Sequence, residues 1–246
     1  MLPGLSSVCR HTAIARLTTH YTTPKLILQA LQIALFYDDM IIAIDGPAAS
    51  GKGTIAKILA HKLNIMCLDT GAIYRTLAIA DLRGLDYRTC QVEVKCGADK
   101  NTLVFLNGED VTNEIRSVHV GTHVPVLAMD PAVQDRVHTI QHQTAANQSL
   151  VVEGRETTSV AFPQADFKFF VTADVNERAR RRHADFIRRG ESIAFETVLQ
   201  LTKERDRLDF EREVAPLVKV PDAIEIDTTG RNVDEIVDEM LGIVLK

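Results

Sequence analysis

Residues 41–63, IIAIDGPAASGKGTIAKILAHKL, set Gly46, Gly51, Gly53 and a proline between an apolar tetrad and a segment of helical spacing. Ile41 to Ile44 read as a buried strand of a parallel sheet, and Ile55, Ile58, Leu59 and Leu63 recur with helix periodicity. Between them Gly46, Gly51 and Lys52 spell G-x-x-x-x-G-K. Strand, glycine-rich loop and helix, in that order, are the context in which this spacing forms a phosphate-binding loop. A phosphate chain needs several backbone N–H groups converging on it, and Cβ atoms obstruct that approach. The helix N-terminus adds unpaired N–H groups and the positive end of its dipole, while Lys52 reaches the outer phosphates as a charged donor. A bare strand-to-helix turn accounts for the glycines but leaves the lysine unexplained. Gly46, Pro47, Ala48, Ala49, Ser50, Gly51, Lys52, Gly53 and Thr54 are therefore expected to hold a nucleotide polyphosphate.

Working outward, 246 residues that are 46% hydrophobic suffice for a sizeable core, most simply one domain with insertions. A net charge of −5 denies the chain the cationic field of a nucleic-acid or membrane coat, so any anion site is local. Cys9, Cys67, Cys90 and Cys96 form no C-x-x-C pair, which disfavours a disulfide framework and a structural zinc and suits a reducing cytoplasm. The apolar run LILQALQIALFY from Leu26 is broken by Gln29 and Gln32 and is too short to span a bilayer. Residues 1–39 carry no acid before Asp38, a composition shared with organelle presequences. They are read as an N-terminal extension without a fold of its own, or as lying upstream of the native start, and the domain as 40–246.

After Lys52 comes Gly53, with the hydroxyl one place later at Thr54; this GKGT spelling resembles nucleoside monophosphate kinases. No N-K-x-D element occurs, and DTTG at Asp227 reads as a turn after the strand AIEI. In CLDTGAIYR (67–75), Asp69 and Thr70 stand before a helix either as an N-cap or as ligand-facing groups, and the residues alone leave both open. Together with DGPAASGKGT (45–54), EGRETTSVAFP (153–163), ERARRR (177–182) and KERDRLDFEREVAPL (203–217), this segment resembles the bacterial-type cytidylate kinases, in order, from Met40 to near Lys246.

The resemblance implies an α/β P-loop kinase: a central parallel sheet flanked by helices, an inserted monophosphate-binding region over about 87–127 and a short lid over about 178–191. It implies transfer of the ATP γ-phosphoryl group to CMP or dCMP with Mg²⁺, by a monomer that binds no nucleic acid. Lys52, Arg155, Arg181, Arg205 and Arg212 are the implied charge-neutralising set. Asp69, Arg75, Gln134, Arg155, Glu156, Arg205, Asp209 and Arg212 are the implied acceptor contacts, with Asp209 on the ribose, helped by Arg205, and Arg75, Arg155 and Arg212 on the α-phosphate. The family's usual serine, arginine and aspartate near the cytosine correspond here to Pro125, Gln134 and Glu156, which puts base selectivity or rate in question.

Chemistry agrees with this reading independently. Phosphoryl transfer is mainly positioning and charge neutralisation, and the segment 178–189 is rich in arginine, with Arg205, Arg207 and Arg212 beyond. Some of these must be solvated and paired to acids one turn away. A phosphate acceptor is already anionic and needs no strong general base, so the lack of an evident one suits a monophosphate kinase. Gly190 is a possible helix stop where a lid hinges. TLVFLNGEDVTNEIR (102–116) alternates into an Asn-Gly turn, as a hairpin does. His119, His123, His138 and His142 lack a zincin glutamate and read as surface or capping residues, and no protein metal ligand is assigned. Two rivals remain: another P-loop small-molecule kinase with an altered acceptor, or a nucleotide-binding protein with impaired catalysis.

Overall fold

The computed structural model describes residues 39–98 and 100–246; the expectation for the N-terminal extension lies outside them up to residue 38. The run Ile41–Asp45 forms strand β1, and Lys52–Leu63 forms helix α1, with the loop between them. There follow β2 (Met66–Asp69), α2 (Thr70–Leu82), β3 (Val92–Cys96), β4 (Thr102–Leu106), β5 (Glu109–Asp110), a 3-10 turn (Glu114–Arg116), α3 (Val118–Leu127) and α4 (Pro131–Ala145). The chain continues through β6 (Leu150–Gly154), a π-helical turn (Thr157–Ala161), β7 (Phe167–Thr172), α5 (Val175–Arg188), α6 (Phe195–Glu211), β8 (Ile224–Asp227) and α7 (Val233–Val244).

The main sheet is parallel throughout, in the order β2-β6-β1-β7-β8. Because side chains alternate across a strand, neighbouring residues feed opposite faces. Ile42, Ile44, Val151 and Phe169 pack with Ile55 and Leu59 of α1 and Ile236 and Met240 of α7. Ala43, Leu68 and Val152 pack on the other side with Ile73 and Leu77 of α2 and Val133 and Val137 of α4. Both faces are covered over β1, β2 and β6, which explains why those strands open on unbroken apolar runs, whereas the edge strand β8 alternates.

The inserted region folds as the antiparallel sheet β3-β4-β5. Asn107 (φ 49°) and Gly108 (φ 85°) are both left-handed, as a type I′ hairpin turn requires. Val104, Leu106, Val111 and Ile115 belong to the same buried cluster as α2, so the insert shares the main core. Gly190 (φ 80°) follows the end of α5 in the left-handed conformation of a helix stop, and Gly230 (φ 66°) closes the turn after β8. Among the described residues no helix is long and apolar enough to cross a membrane.

Candidate active site

Parallel register sets the frame. Asp45 lies beside Gly154, and Asp69 beside Glu153, so the carboxyl ends of β1, β2 and β6 finish at one level. In an open α/β sheet the crevice outside those ends is where ligands gather. Gly154 is needed there, since a Cβ on it would stand 2.5 Å from the Thr70 hydroxyl oxygen.

The loop after β1 is shaped from outside. Arg178 Nη1 donates to the Ala48 carbonyl (3.4 Å), Arg181 Nη1 to that of Ala49 (3.5 Å), and the Thr228 hydroxyl to that of Ser50 (2.9 Å). A trans peptide is planar, so each carbonyl turned outward aims the next N–H the opposite way, into the loop. Ala49 (φ 60°) and Gly51 (φ 92°) adopt left-handed conformations, which gives the alternation of an anion-binding nest. Gly51 caps α1 without any side-chain hydrogen bond, and the first turn carries no acid, so the helix N-terminus stays open to an anion. The Ser50 hydroxyl oxygen is buried and has no partner among the described residues. Gly46 cannot be replaced, because a Cβ would lie 1.9 Å from the Val171 carbonyl oxygen.

Lys52 turns back over this loop, its ammonium 3.3 Å from the Pro47 carbonyl and 3.9 Å from Glu153 Oε2. Burial and the Arg155 charge lower its pKa to about 8. Burial and the charge of Asp69 push Glu153 up, partly opposed by Lys52.

Beyond Lys52 opens a cavity of about 250 Å³. Six cations line it: Lys52, Arg75, Arg116, Arg155, Arg205 and Arg212. The carboxylates at or beside it are four: Asp69, Glu153, Glu156 and Asp209. In a chain of net charge −5, this is a local excess of two positive charges. Asp209 accepts from Arg155 Nε (2.9 Å) and Arg205 Nε (3.1 Å). Burial alone would raise the Asp209 carboxyl; the two guanidiniums outweigh it and hold the group below the usual carboxylate range. Glu156 is fixed at both oxygens, by the Tyr74 hydroxyl (2.9 Å) and Arg212 Nη2 (2.8 Å). Among the described residues the buried Nε–H groups of Arg75 and Arg212 meet no acceptor.

The structure thus brings Lys52, Asp69, Arg75, Arg155, Glu156, Arg205 and Arg212 to one cavity wall, with Asp209 behind two of its arginines. Asp69 settles the alternative left open by its residues: it caps α2 through Ala72 N (3.1 Å) and also faces the cavity. Two expected residues sit elsewhere. Arg181 stands outside the phosphate loop, tied to Glu177 and to the hydroxyl and carbonyl of Thr228. Gln134 lies behind the wall; its amide nitrogen donates to the Ala128 carbonyl (2.8 Å) and its oxygen faces Tyr74 (3.1 Å). Pro125 borders a neighbouring apolar groove with Leu208 and Met129. His142 bonds the Ala161 carbonyl and His123 pairs with Asp81.

Sequence reasoning missed Glu153, Tyr74 and Arg116. Glu153 had a signal, as the polar residue that ends an apolar strand one register step from the loop; Tyr74 had only its place beside Arg75.

A phosphate loop at the carboxyl edge of a parallel sheet, facing a cavity of arginines, defines a P-loop kinase. Residues 42–246 match the family model of cytidylate kinase. The cytidylate kinase of Geobacillus sp. (strain WCH70) is 44% identical over 214 residues, covering 82% of this chain and 95% of that protein. That of Fervidobacterium nodosum is 41% identical with the same coverage, and that of Clostridioides difficile 38% identical over 82% of this chain and 97% of its own. The chain belongs to the cytidylate kinase family.

Proposed function

We propose that the chain transfers the γ-phosphoryl group of ATP to the phosphate of CMP or dCMP, giving CDP or dCDP. The observation that carries this reading is the net double positive charge of the cavity next to Lys52, which matches a phosphomonoester dianion and leaves two buried guanidinium donors for it. The loop amides and the Lys52 ammonium hold the outer phosphates of the donor. Arg75, Arg155, Arg205 and Arg212 hold the acceptor phosphate in line and neutralise charge as the bond to the leaving oxygen lengthens. The acceptor oxygen is already anionic, so no side chain has to remove a proton from it. Glu156, pinned by Tyr74 and Arg212, presents a carboxylate that accepts from an exocyclic amine, and Asp209 takes ribose hydroxyls. Gln134 then acts on the base only through Tyr74.

Magnesium fits the donor side, because Glu153, a half-buried carboxylate 3.9 Å from Lys52, is a hard oxygen donor on the cavity wall. That residue would hold it, and when bound it would supply charge neutralisation on the triphosphate. Residues 87–127 act as the acceptor-binding insert and 178–191 as the lid, with Arg178 and Arg181 anchoring one end of that lid to the loop. The chain is read as a monomer, and the free, buried thiols of Cys67 and Cys90 suit a reducing cytoplasm. A steady-state panel of CMP, dCMP, UMP and AMP tests the reading. CMP and dCMP should lead, and equal turnover of AMP and CMP would remove the assignment.

A further inference from the structure

One carboxylate oxygen of the cavity holds two arginines at once. Asp69 Oδ2 accepts from Arg75 Nη2 (2.9 Å) and from Arg116 Nη1 (3.1 Å), while Oδ1 is fixed by the Ala72 amide. Gly71 makes room for this, because a Cβ there would meet Arg75 Nη1 at 3.1 Å. Arg75 comes from α2 of the main fold. Arg116 comes from the 3-10 turn of the inserted region, and among the described residues it is the one charged side chain of 87–127 on the cavity wall. Its side chain is 47% exposed, so it is neither packed into the core nor paired deep within it, and Asp69 is its anchor across 47 positions of sequence. Arg75 keeps a buried Nε–H without an acceptor among the described residues even in this arrangement. One carboxylate therefore serves two guanidiniums that carry many more donors than it can accept.

We infer that Arg116 is a further ligand of the acceptor's phosphate, and that Asp69 is an internal stand-in for that phosphate, exchanged for it when the acceptor binds. This rests on the functional reading above. Asp69 cannot follow the arginines, since its carboxylate is tied to the α2 amide, whereas Arg116 is long and half exposed and swings freely to a stronger anion. A phosphate dianion offers twice the charge and three acceptor oxygens, so both guanidiniums gain by the exchange. Because Arg116 belongs to the insert, the same exchange fastens the insert to the substrate.

The test uses the full chain as wild type, Arg116→Ala, Arg116→Lys and Asp69→Asn. Calorimetric titration with CMP, inhibition by cytidine and steady-state KM values for CMP and ATP are compared. Arg116→Ala should weaken CMP roughly 10- to 100-fold and leave cytidine and the KM for ATP within about twofold. Arg116→Lys should recover part of the loss. Asp69→Asn keeps a capping side chain and removes the competing charge, so CMP should bind several-fold tighter. Unchanged CMP affinity in Arg116→Ala, or equal weakening of CMP and cytidine, overturns the role of Arg116. Weaker or unchanged CMP binding in Asp69→Asn overturns the exchange. A wild-type chain that fails to bind CMP defeats the functional reading instead, and inorganic phosphate titrated into wild type and Arg116→Ala then decides the role of Arg116 alone.

Discussion

The two halves of the site are built from different materials. On the donor side the groups that face ligand are main-chain amides, set in place by carbonyls that three side chains hold from behind. On the acceptor side they are side chains from α2, the insert, β6 and α6, held in place by one another. The first half tolerates change except at Lys52, at the side chains that hold its carbonyls, and where a Cβ will not fit. The second is a network in which removing one member strands its partners.

Lys52 is the exception on the donor side, so its loss should be the largest effect. Lys52→Met should lower kcat by about a hundred- to a thousand-fold without lowering the melting temperature. Its folded pKa of about 8, against 10.5 for an ordinary lysine, also predicts that kcat/KM for ATP falls above about pH 8 as the ammonium is lost. Stability runs the other way. Between pH 8 and 10.5 the unfolded chain binds the proton that the folded one has released, so this group's penalty to folding is present below 8 and fades as pH rises. A pH–rate profile without a basic limb near 8 would break the account.

Asp45 joins the halves. At the end of β1 it accepts from the amides and hydroxyls of both Thr157 and Thr158, which follow Arg155 and Glu156. Asp45→Ala leaves four buried donors unmet and should cost about 3 to 5 kcal/mol, lowering the melting temperature by roughly 10 °C. Calorimetry finding less than a degree of change would show the halves to be independent. Within the acceptor network, Tyr74→Phe removes the donor to Glu156 and should reduce the CMP-over-UMP ratio of kcat/KM by roughly 3- to 10-fold. The smallest effect should be at Arg207, which among the described residues pairs with Glu204 and Glu211 in solvent. Arg207→Ala should match wild type in rate and melting temperature, and a loss of activity there would extend the network onto the outer face of α6.

The same contrast explains what could be read beforehand. The donor loop is contiguous, and its chemistry follows from where Cβ atoms are missing, so Gly46 to Thr54 was legible as a unit. The acceptor cavity gathers residues from 69 to 212 in sequence, and its members were named through family resemblance, which carries identities but not orientations. Resemblance sets Gln134 near the base; in the structure Ala128 and Tyr74 meet the two ends of its amide. Arg181 was grouped with the transfer chemistry because ERARRR gives no sign of which arginine faces which way. Arg116 lies in a charged segment after a hairpin, and only the packing of the insert against Asp69 brings it to the cavity.

Arg178 and Arg181 have a consequence that distance alone conceals. Each draws electron density from the carbonyl it binds, and conjugation through the C–N bond passes that pull to the amide hydrogen on the far side. A phosphate held in the loop would thus feel, by induction, the pull of two guanidiniums set behind the loop's carbonyls. Neutralising either would therefore weaken nucleotide binding.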